Sequence, residues 1–309
     1  MEYLIFKMTF PNGIHIGKDA VSDACSTIYA DTVFSAMCIE ALNIGGEDKL
    51  NSFVDMAKND RVRISDALPY IEDTLYVPKP MVRIERTDDS SALKKEFKKL
   101  LYIPINYIDT YLKGNAEPVK LNDDFSSLGK AELYQKAALK PDEDNELYTV
   151  GVYHFSKNSG LYIIAGFENS DDEAKELLVN IFNSLQYSGI GGKRTSGLGR
   201  FVCEEMAVPK EIKAMLDSKN SSRYMSLSIS MAADSEIGAA VDSAMYKLIK
   251  RSGFVYSESY ADTFLKKRDF YMFGAGSVFN NRFSGDIFDV SLGGKHPVYK
   301  YGKPIMLGL

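Results

Sequence analysis

The stretch "SGIGGKRTSGLGRF", from Ser188 to Phe201, stands out in this sequence because it is rich in both glycine and positive charge. Five of its fourteen residues are glycine, three are the cations Lys193, Arg194 and Arg200, and none is acidic. Glycine loses more conformational freedom on folding than any other residue, so such a cluster indicates a backbone that turns sharply or approaches another group closely. The positive charge indicates that this group is anionic, with phosphate the first candidate.

The loop matches neither of the two common phosphate-binding fingerprints. A P-loop requires Ser or Thr after Gly-Lys, but Gly192-Lys193 is followed by Arg194, and the third glycine of a dinucleotide-binding motif would fall on that same arginine. Both motifs also lead from a strand into a helix. Here the pattern predicts a helix before the loop, at 170–187, and a short strand after it, at 199–204. The sequence therefore predicts an anion-binding loop that runs from helix to strand.

The segments around the loop predict an α+β fold. Apart from 199–204, strands are predicted at 2–10, 61–69, 74–80, 147–155 and 161–167. A first helix is predicted at 27–42, and a charged helical stretch follows Gly45-Gly46 to about Lys58, both before the second strand. The loop's own helix precedes the last strand. This order, with a long insertion in the middle, is the split β-α-β arrangement of a ferredoxin-like (RRM-like) sheet.

The first helix has one apolar face and a capping residue at its start. Ser26 or Thr27 can cap it. Its apolar face consists of Ala30, Phe34, Met37, Cys38, Ala41 and Leu42. We expect Phe34, Met37 and Leu42 to lie in the core.

The chain is long enough for two domains. Its 309 residues predict a ferredoxin-like domain over 1–208 that contains the loop at 188–201. A polar segment, 209–220, then leads to Gly-punctuated strand patterns over 221–309, which predict a second, β-rich ferredoxin-like domain. Apolar runs are only of strand length, and the three cysteines favour free thiols in a reducing compartment, so we expect a cytoplasmic protein that does not enter a membrane.

The charge of the chain is unevenly distributed. The formal net charge is −5, yet residues 243–309 hold ten Lys and Arg against five Asp and Glu, together with 13 of the 36 Phe and Tyr residues. A basic, aromatic-rich tail on an acidic body indicates an anionic partner at one end, although core aromatics with a solvated rim of cations would give the same composition. The three histidines, His15, His154 and His296, lack nearby metal-ligand spacing, so no metal site and no cofactor are expected.

Three further stretches carry a family resemblance together with the loop. They are "YLIFKMTFPNGIHIG" at Tyr3–Gly17, "STIYADTVFSAMCIEAL" at Ser26–Leu42 and "ISDALPYIEDTLYVPKP" at Ile64–Pro80. In combination they resemble the RAMP superfamily of CRISPR proteins, and within it the Cas-five-like Csm-four family of type III-A effector complexes. The resemblance covers roughly the first two hundred residues in blocks.

The resemblance implies a non-catalytic subunit that binds RNA. Such a subunit holds the 5′ handle of the crRNA and docks on the large Cas-ten subunit and on a backbone subunit of the Csm-three type. Single-stranded RNA is recognised through its phosphates, its exposed base edges and stacking, which suits a basic loop over a sheet. The residues expected to contact RNA are His15, Gly17, Lys18, Gly189, Gly191, Gly192, Lys193, Arg194, Thr195, Ser196, Gly197, Gly199, Arg200, Lys266, Lys267 and Arg268.

Two other functions stay open at this point. A Cas-six-like endoribonuclease that processes the CRISPR repeat would need a general acid–base group, for which His15 is the nearest candidate along the chain. The chain could instead be a protein-interaction module without RNA. The segment 136–147 occupies the position of the thumb-like hairpin of RAMP subunits, and its acidic tip makes protein contact as plausible there as RNA contact.

Overall fold

The computed structural model describes residues 1–18, 20–84, 90–138, 146–257 and 259–309. The helices are α1 (Ala30–Lys58), α2 (Ser91–Lys99), α3 (Ile108–Leu112), α4 (Pro118–Ser126), α5 (Asp172–Ser188), α6 (Lys210–Asp217) and α7 (Ile237–Val241). The strands of the first two thirds of the chain are β1 (Glu2–Thr9), β2 (Val62–Ile64), β3 (Leu68–Ile71), β4 (Thr74–Pro78), β5 (Tyr102–Pro104), β6 (Gly129–Ala138), β7 (Glu146–Phe155), β8 (Ser159–Phe167) and β9 (Val202–Ala207). The remaining strands are β10 (Tyr224–Ser226), β11 (Leu248–Arg251), β12 (Phe270–Phe273), β13 (Val278–Phe279), β14 (Ile287–Asp289), β15 (Tyr299–Tyr301) and β16 (Met306–Gly308).

The main sheet is antiparallel and has the strand order β5-β4-β3-β8-β1-β9, with β2 also pairing to β8. All nine residues of β8 are buried, because its two faces contribute to two different cores. On one face α1 and α5 pack against the sheet, and the ring of Phe6 stacks on that of Phe182 with centroids 4.1 Å apart. The helix-to-strand order predicted around the glycine-rich loop is confirmed by α5 and β9.

The first helix begins at Ala30, three residues after the predicted start. It continues as α1 to Lys58 through a kink at Gly45 and Gly46, so the helical stretch predicted after these glycines is confirmed. Its first N–H group donates to the carboxylate of Asp66, 2.7 Å away, so the expected side-chain cap from Ser26 or Thr27 is replaced by a residue from a distant loop.

The predicted core positions of this helix are only partly correct. Phe34 and Met37 are fully buried, as expected. Leu42 is 42% exposed, so its core assignment is wrong. At 3.6 residues per turn Leu42 lies about 120° around the helix from Ala30, at the edge of the apolar face.

The tail packs into the same core as the first part of the chain. The ring of Tyr301 stacks on Phe34 with centroids 5.0 Å apart, and its hydroxyl accepts the N–H of Ile64 at 2.8 Å. The polar segment 209–220 is largely helix α6, whose apolar side is buried. The tail strands form small sheets in the orders β13-β10-β16, β11-β12 and β14-β15, and the ferredoxin-like arrangement expected there is not confirmed.

A buried charge cluster joins the start of α1 to the tail. The carboxylate of Asp31 accepts two hydrogen bonds from Arg251, both at 2.9 Å, and one from the ammonium of Lys300 at 2.7 Å. The side chains of Asp31 and Lys300 are only 1% and 4% exposed. Burial by itself would raise the pKa of Asp31, but Lys300 and Arg251 outweigh it and hold that pKa well below its usual range.

The strands β6 and β7 form a separate hairpin at the position of the predicted thumb. They pair antiparallel over ten residues each, from Gly129 opposite Phe155 to Ala138 opposite Glu146. Leu133 and Leu147 are exposed, as are most residues of β6. The tip, residues 139–145, lies outside the described residues, and with it most of the acidic segment 140–146.

Candidate nucleic-acid interface

The glycine-rich loop, residues 188–201, leaves α5 through Gly189 and crosses a short 3₁₀ turn before it enters β9. The turn spans Arg194–Ser196 and is flanked by Lys193 and Gly197, which both adopt left-handed backbone conformations with φ of 58° and 83°.

The glycines of the loop bring the chain close to its own backbone. A Cβ atom on Gly199 would lie 2.0 Å from the carbonyl oxygen of Ile190. A Cβ atom on Gly191 would lie 2.7 Å from the carbonyl oxygen of His15, and one on Gly192 would lie 2.6 Å from the His15 ring. The close approach that the sequence assigned to RNA is therefore intramolecular at these three glycines, whereas Gly197 has only one atom within 4 Å of its Cβ position.

His15 supports the loop from below. Its Nδ1 lies 2.7 Å from the carbonyl oxygen of Gly151, and since a carbonyl only accepts, Nδ1 carries the proton and donates. The carbonyl of His15 in turn accepts the N–H of Gly192 at 2.9 Å. The side chain is buried, so His15 holds the loop in position instead of presenting its ring to solvent. Gly17 and Lys18, which follow it, are exposed.

Two of the three cations of the loop lie against aromatic rings, and none lies against a carboxylate of the described residues. The ammonium of Lys193 lies 4.6 Å from the ring centroid of Tyr148, and the guanidinium of Arg194 lies 5.5 Å from that of Tyr256. Arg200 is exposed. Within the part of the chain that the structure describes, none of these three cations forms an ion pair. A ring face attracts a cation without cancelling its charge, so the positive charge of the loop is retained for an anion.

Neither tyrosine is among the residues that the sequence pattern indicates. Tyr148 comes from β7, 45 residues before Lys193, and Tyr256 comes from the tail. No short-range pattern links them to the loop, so only the tertiary structure identifies them. Thr195 and Ser196, at the crest of the loop, are exposed as an RNA-contact role requires.

The three consecutive cations of the tail do not form one patch. Lys266 is exposed and lies 5.6 Å from the ring centroid of Phe254, and Arg268 is also exposed. Lys267 points the other way, where burial and then the neighbouring ammonium of Lys300 lower its pKa to about 8. Lys267 therefore does not share a surface with Lys266 and Arg268, contrary to the prediction from the sequence, because alternate residues of an extended chain face opposite sides.

The described residues can also be searched for metal sites, membrane-spanning helices and disulfide bonds. Among the described residues, no group of His, Cys, Asp and Glu side chains is arranged to hold a metal ion. Within the same residues, no helix combines the length and apolar character needed to cross a bilayer. Cys25, Cys38 and Cys203 form no disulfide bond among the described residues.

The models of two known protein families together match most of the chain. The RAMP superfamily model matches residues 15–202, and the model of the CRISPR Csm4 C-terminal domain matches residues 219–309. The CRISPR system Cms protein Csm4 of Mycobacterium tuberculosis (strain ATCC 25618 / H37Rv) is 37% identical over 310 residues, covering 100% of this chain and 98% of that protein. The protein of the same name from Streptococcus thermophilus is 33% identical over 318 residues, covering 100% and 99%.

Solved structures share the fold. A chain of the crystal structure of the Csm3-Csm4 subcomplex in the type III-A CRISPR-Cas interference complex aligns with a TM-score of 0.70 at 20% identity, covering 100% of this chain and 99% of that one. A chain of the Csm1-Csm4 cassette in complex with pppApA aligns with a TM-score of 0.64 at 19% identity, covering 100% and 98%. On the full-length identity to the curated relatives, this chain belongs to the Csm4 family of CRISPR proteins, within the RAMP superfamily.

Proposed function

We propose that this chain is the subunit of a type III-A CRISPR effector complex that binds the 5′ handle of the crRNA and caps that end of the assembly. The observation that carries the proposal is the glycine-rich loop, whose three cations stand without a carboxylate partner among the described residues. Membership of the Csm4 family supports RNA as the anionic ligand. Lys193 and Arg194 neutralise handle phosphates, and the hydroxyl groups of Thr195 and Ser196 donate to their oxygens.

The proposed partners are Csm1, the Cas-ten-type large subunit, and a backbone subunit of the Csm3 type. The support is that chains with this fold occur in a Csm3-Csm4 subcomplex and in a Csm1-Csm4 cassette.

We also propose a ferredoxin-like domain over 1–208 and a β-rich domain over 221–309. The strand order β9-β1-β8-β2 with two helices on one face supports the first, and the two family matches support the division.

The same geometry argues against a repeat-cleaving nuclease and for a subunit without catalytic activity. His15, the candidate general acid–base, is buried beneath Gly192 and donates its Nδ1 proton to Gly151. A ring in that position cannot reach a 2′-hydroxyl without displacement of the loop. Purified chain incubated with labelled repeat RNA should leave it intact, and cleavage that disappears in His15→Ala would establish the nuclease instead.

The RNA proposal is tested with a charge-matched pair of variants. Lys193→Ala with Arg194→Ala removes two cations from the loop, and Lys175→Ala with Lys210→Ala removes two exposed cations from helices α5 and α6. Binding of labelled handle RNA and of a scrambled strand is measured by anisotropy over a salt series. The loop variant should bind both RNAs more weakly, and its log–log salt slope should fall by about 0.7 for each phosphate that it no longer neutralises.

The control variant should retain the affinity and the slope of the unaltered chain. Equal behaviour of the two variants would contradict the proposal. A complex that assembles with its partner subunits but holds no RNA would favour the interaction module.

A further inference from the structure

Two paired arms of the tail, residues 246–256 and 264–273, form a long β-hairpin that presents one face to solvent beside the glycine-rich loop. Its base is the β11–β12 pair, from Leu248 opposite Phe273 to Arg251 opposite Phe270. Pairing continues outward, because the N–H of Lys267 donates to Gly253 at 3.0 Å and Phe254 pairs with Lys266. We call this segment the tail hairpin.

The two faces of the tail hairpin differ in what they contact. On the inner face Ile249 and Met272 pack against the main core, Val255 is buried and Arg251 binds Asp31. The outer face carries four large aromatic side chains that are between 55% and 87% exposed. They are Phe254, Tyr256, Phe264 and Tyr271. Scattered single apolar residues are ordinary on a surface, but four aromatics on one face of one hairpin indicate a binding surface.

We propose that this outer face is a stacking platform for single-stranded RNA and that it continues the path of the RNA away from the glycine-rich loop. The inference rests on the proposed RNA-binding function and assigns a second contact surface to it. Continuity is provided by Tyr256, whose ring lies 5.5 Å from the guanidinium of Arg194. The binding path therefore passes from the loop directly onto the hairpin.

The charge of the tail hairpin favours a nucleic acid over a protein partner. Of its six Lys and Arg residues, Arg251 and Lys267 face inward and Lys250 pairs with Asp269. The exposed cations without an ion pair among the described residues are Lys247, Lys266 and Arg268. Lys266 and Arg268 are exposed on the same strand as Phe264. Cations interleaved with aromatic rings suit an unpaired strand, whose phosphates meet the cations while its bases stack on the rings. Stacking needs no particular base, because every base has a π face.

The test separates stacking from charge. The double variant Tyr256→Ala with Phe264→Ala removes two rings and no charge. A matched control, Leu133→Ala with Leu147→Ala, removes two exposed apolar side chains from the β6–β7 hairpin. The probe is a fluorescein-labelled single-stranded RNA of about 20 nucleotides, long enough to exceed the ~4–16 nucleotides of a typical single-strand site. A second probe has the same backbone with abasic residues outside the handle sequence.

The double variant should bind the 20-nucleotide RNA about 5- to 150-fold more weakly for each base that no longer stacks, with an unchanged salt slope. The unaltered chain should bind the abasic probe about as weakly as the double variant binds the 20-nucleotide RNA. The double variant should bind the two probes with equal affinity. Tyr256→Phe with Phe264→Tyr keeps both rings and should restore binding.

Unchanged RNA affinity in a folded double variant would overturn the platform. If that variant instead loses Csm1 or Csm3 in a pull-down while it retains RNA, the face is a protein-docking surface. In either case the loop variant Lys193→Ala with Arg194→Ala reports separately on the proposed function. If the loop variant binds RNA more weakly and the Tyr256→Ala with Phe264→Ala variant does not, only the platform is refuted. If neither variant changes the RNA affinity, both proposals are refuted.

Discussion

Replacing Asp31 by Asn should destabilise the protein far more than the loss of an ordinary ion pair. Asp31 lies at the centre of a buried cluster in which Arg251 and Lys300 donate three hydrogen bonds to its carboxylate. An Asn side chain has nearly the same shape but no charge, and its amide group would present N–H donors to other donors. The ammonium of Lys300, only 4% exposed, would then lie in the core without a counter-charge.

The magnitude follows from that uncompensated charge. Breaking a buried ion pair by removing one partner costs about 3–5 kcal/mol of unfolding free energy. Lys300→Met leaves Asp31 with its two bonds to Arg251 and should cost about 1.5–3 kcal/mol, the contribution of one hydrogen bond between charged groups. In the double variant the Lys300 ammonium is absent, so its loss should be smaller than the sum of the two single losses by about 1–3 kcal/mol.

The assay is urea unfolding followed by circular dichroism, with an exposed pair as the control. Lys250 and Asp269 are 2.7 Å apart and half exposed, so Asp269→Asn should cost less than about 1 kcal/mol. If Asp31→Asn costs no more than this surface control, or if the double variant is additive, the buried cluster does not hold the tail on α1 as inferred.

Three further predictions concern stability. The pKa of Lys267 is about 8 in the folded chain and about 10.4 in an unfolded one, so the unfolded chain binds more protons between these pH values. The free energy of unfolding should therefore rise with pH across this window by up to about 3 kcal/mol, and Lys267→Met should abolish the rise measured by urea titration at each pH. Gly199→Ala should cost about 2–4 kcal/mol, since it adds a clash to a positive φ, whereas Gly293→Ala, with the same sign of φ and open space, should cost only about 1 kcal/mol in the same measurement. Phe34→Ala should cost about 3–5 kcal/mol and Leu42→Ala about 0.5 kcal/mol or less, and similar melting temperatures for the two variants would refute the observed helix orientation.

The elements around the glycine-rich loop could be predicted from the sequence because their apolar residues follow clear periods. Helix α5 has a buried face at helical spacing and an acidic first turn, and β8 is a continuous apolar run. Strand β6 could not be predicted in this way. Its sequence, GKAELYQKAA, has no alternation of apolar and polar residues because most of it is exposed. Only its antiparallel pairing with β7 identifies this segment as a strand.

The composition of the loop predicted a basic surface, but it could not predict what surrounds the loop. Tyr148 and Tyr256 approach the cations only through the tertiary fold. The reason for the glycines also required the structure, since the atoms that they approach belong to His15 and Ile190. The orientation of Lys267 is different, because the two-residue period of a strand already implies that it faces away from Lys266 and Arg268.

The hydrogen bonds that fix the glycine-rich loop have a kinetic consequence. The N–H groups of Gly192 and Gly199 donate to the carbonyls of His15 and Gly13, both at 2.9 Å, so the backbone is ordered before any ligand arrives. Ordering a flexible loop on binding would cost about 1–2 kcal/mol for each residue that is fixed. A preorganised loop avoids that loss of entropy. On the proposed RNA-binding function, the cations of this ordered loop steer the approach of the ligand, so added salt should slow the association of single-stranded RNA.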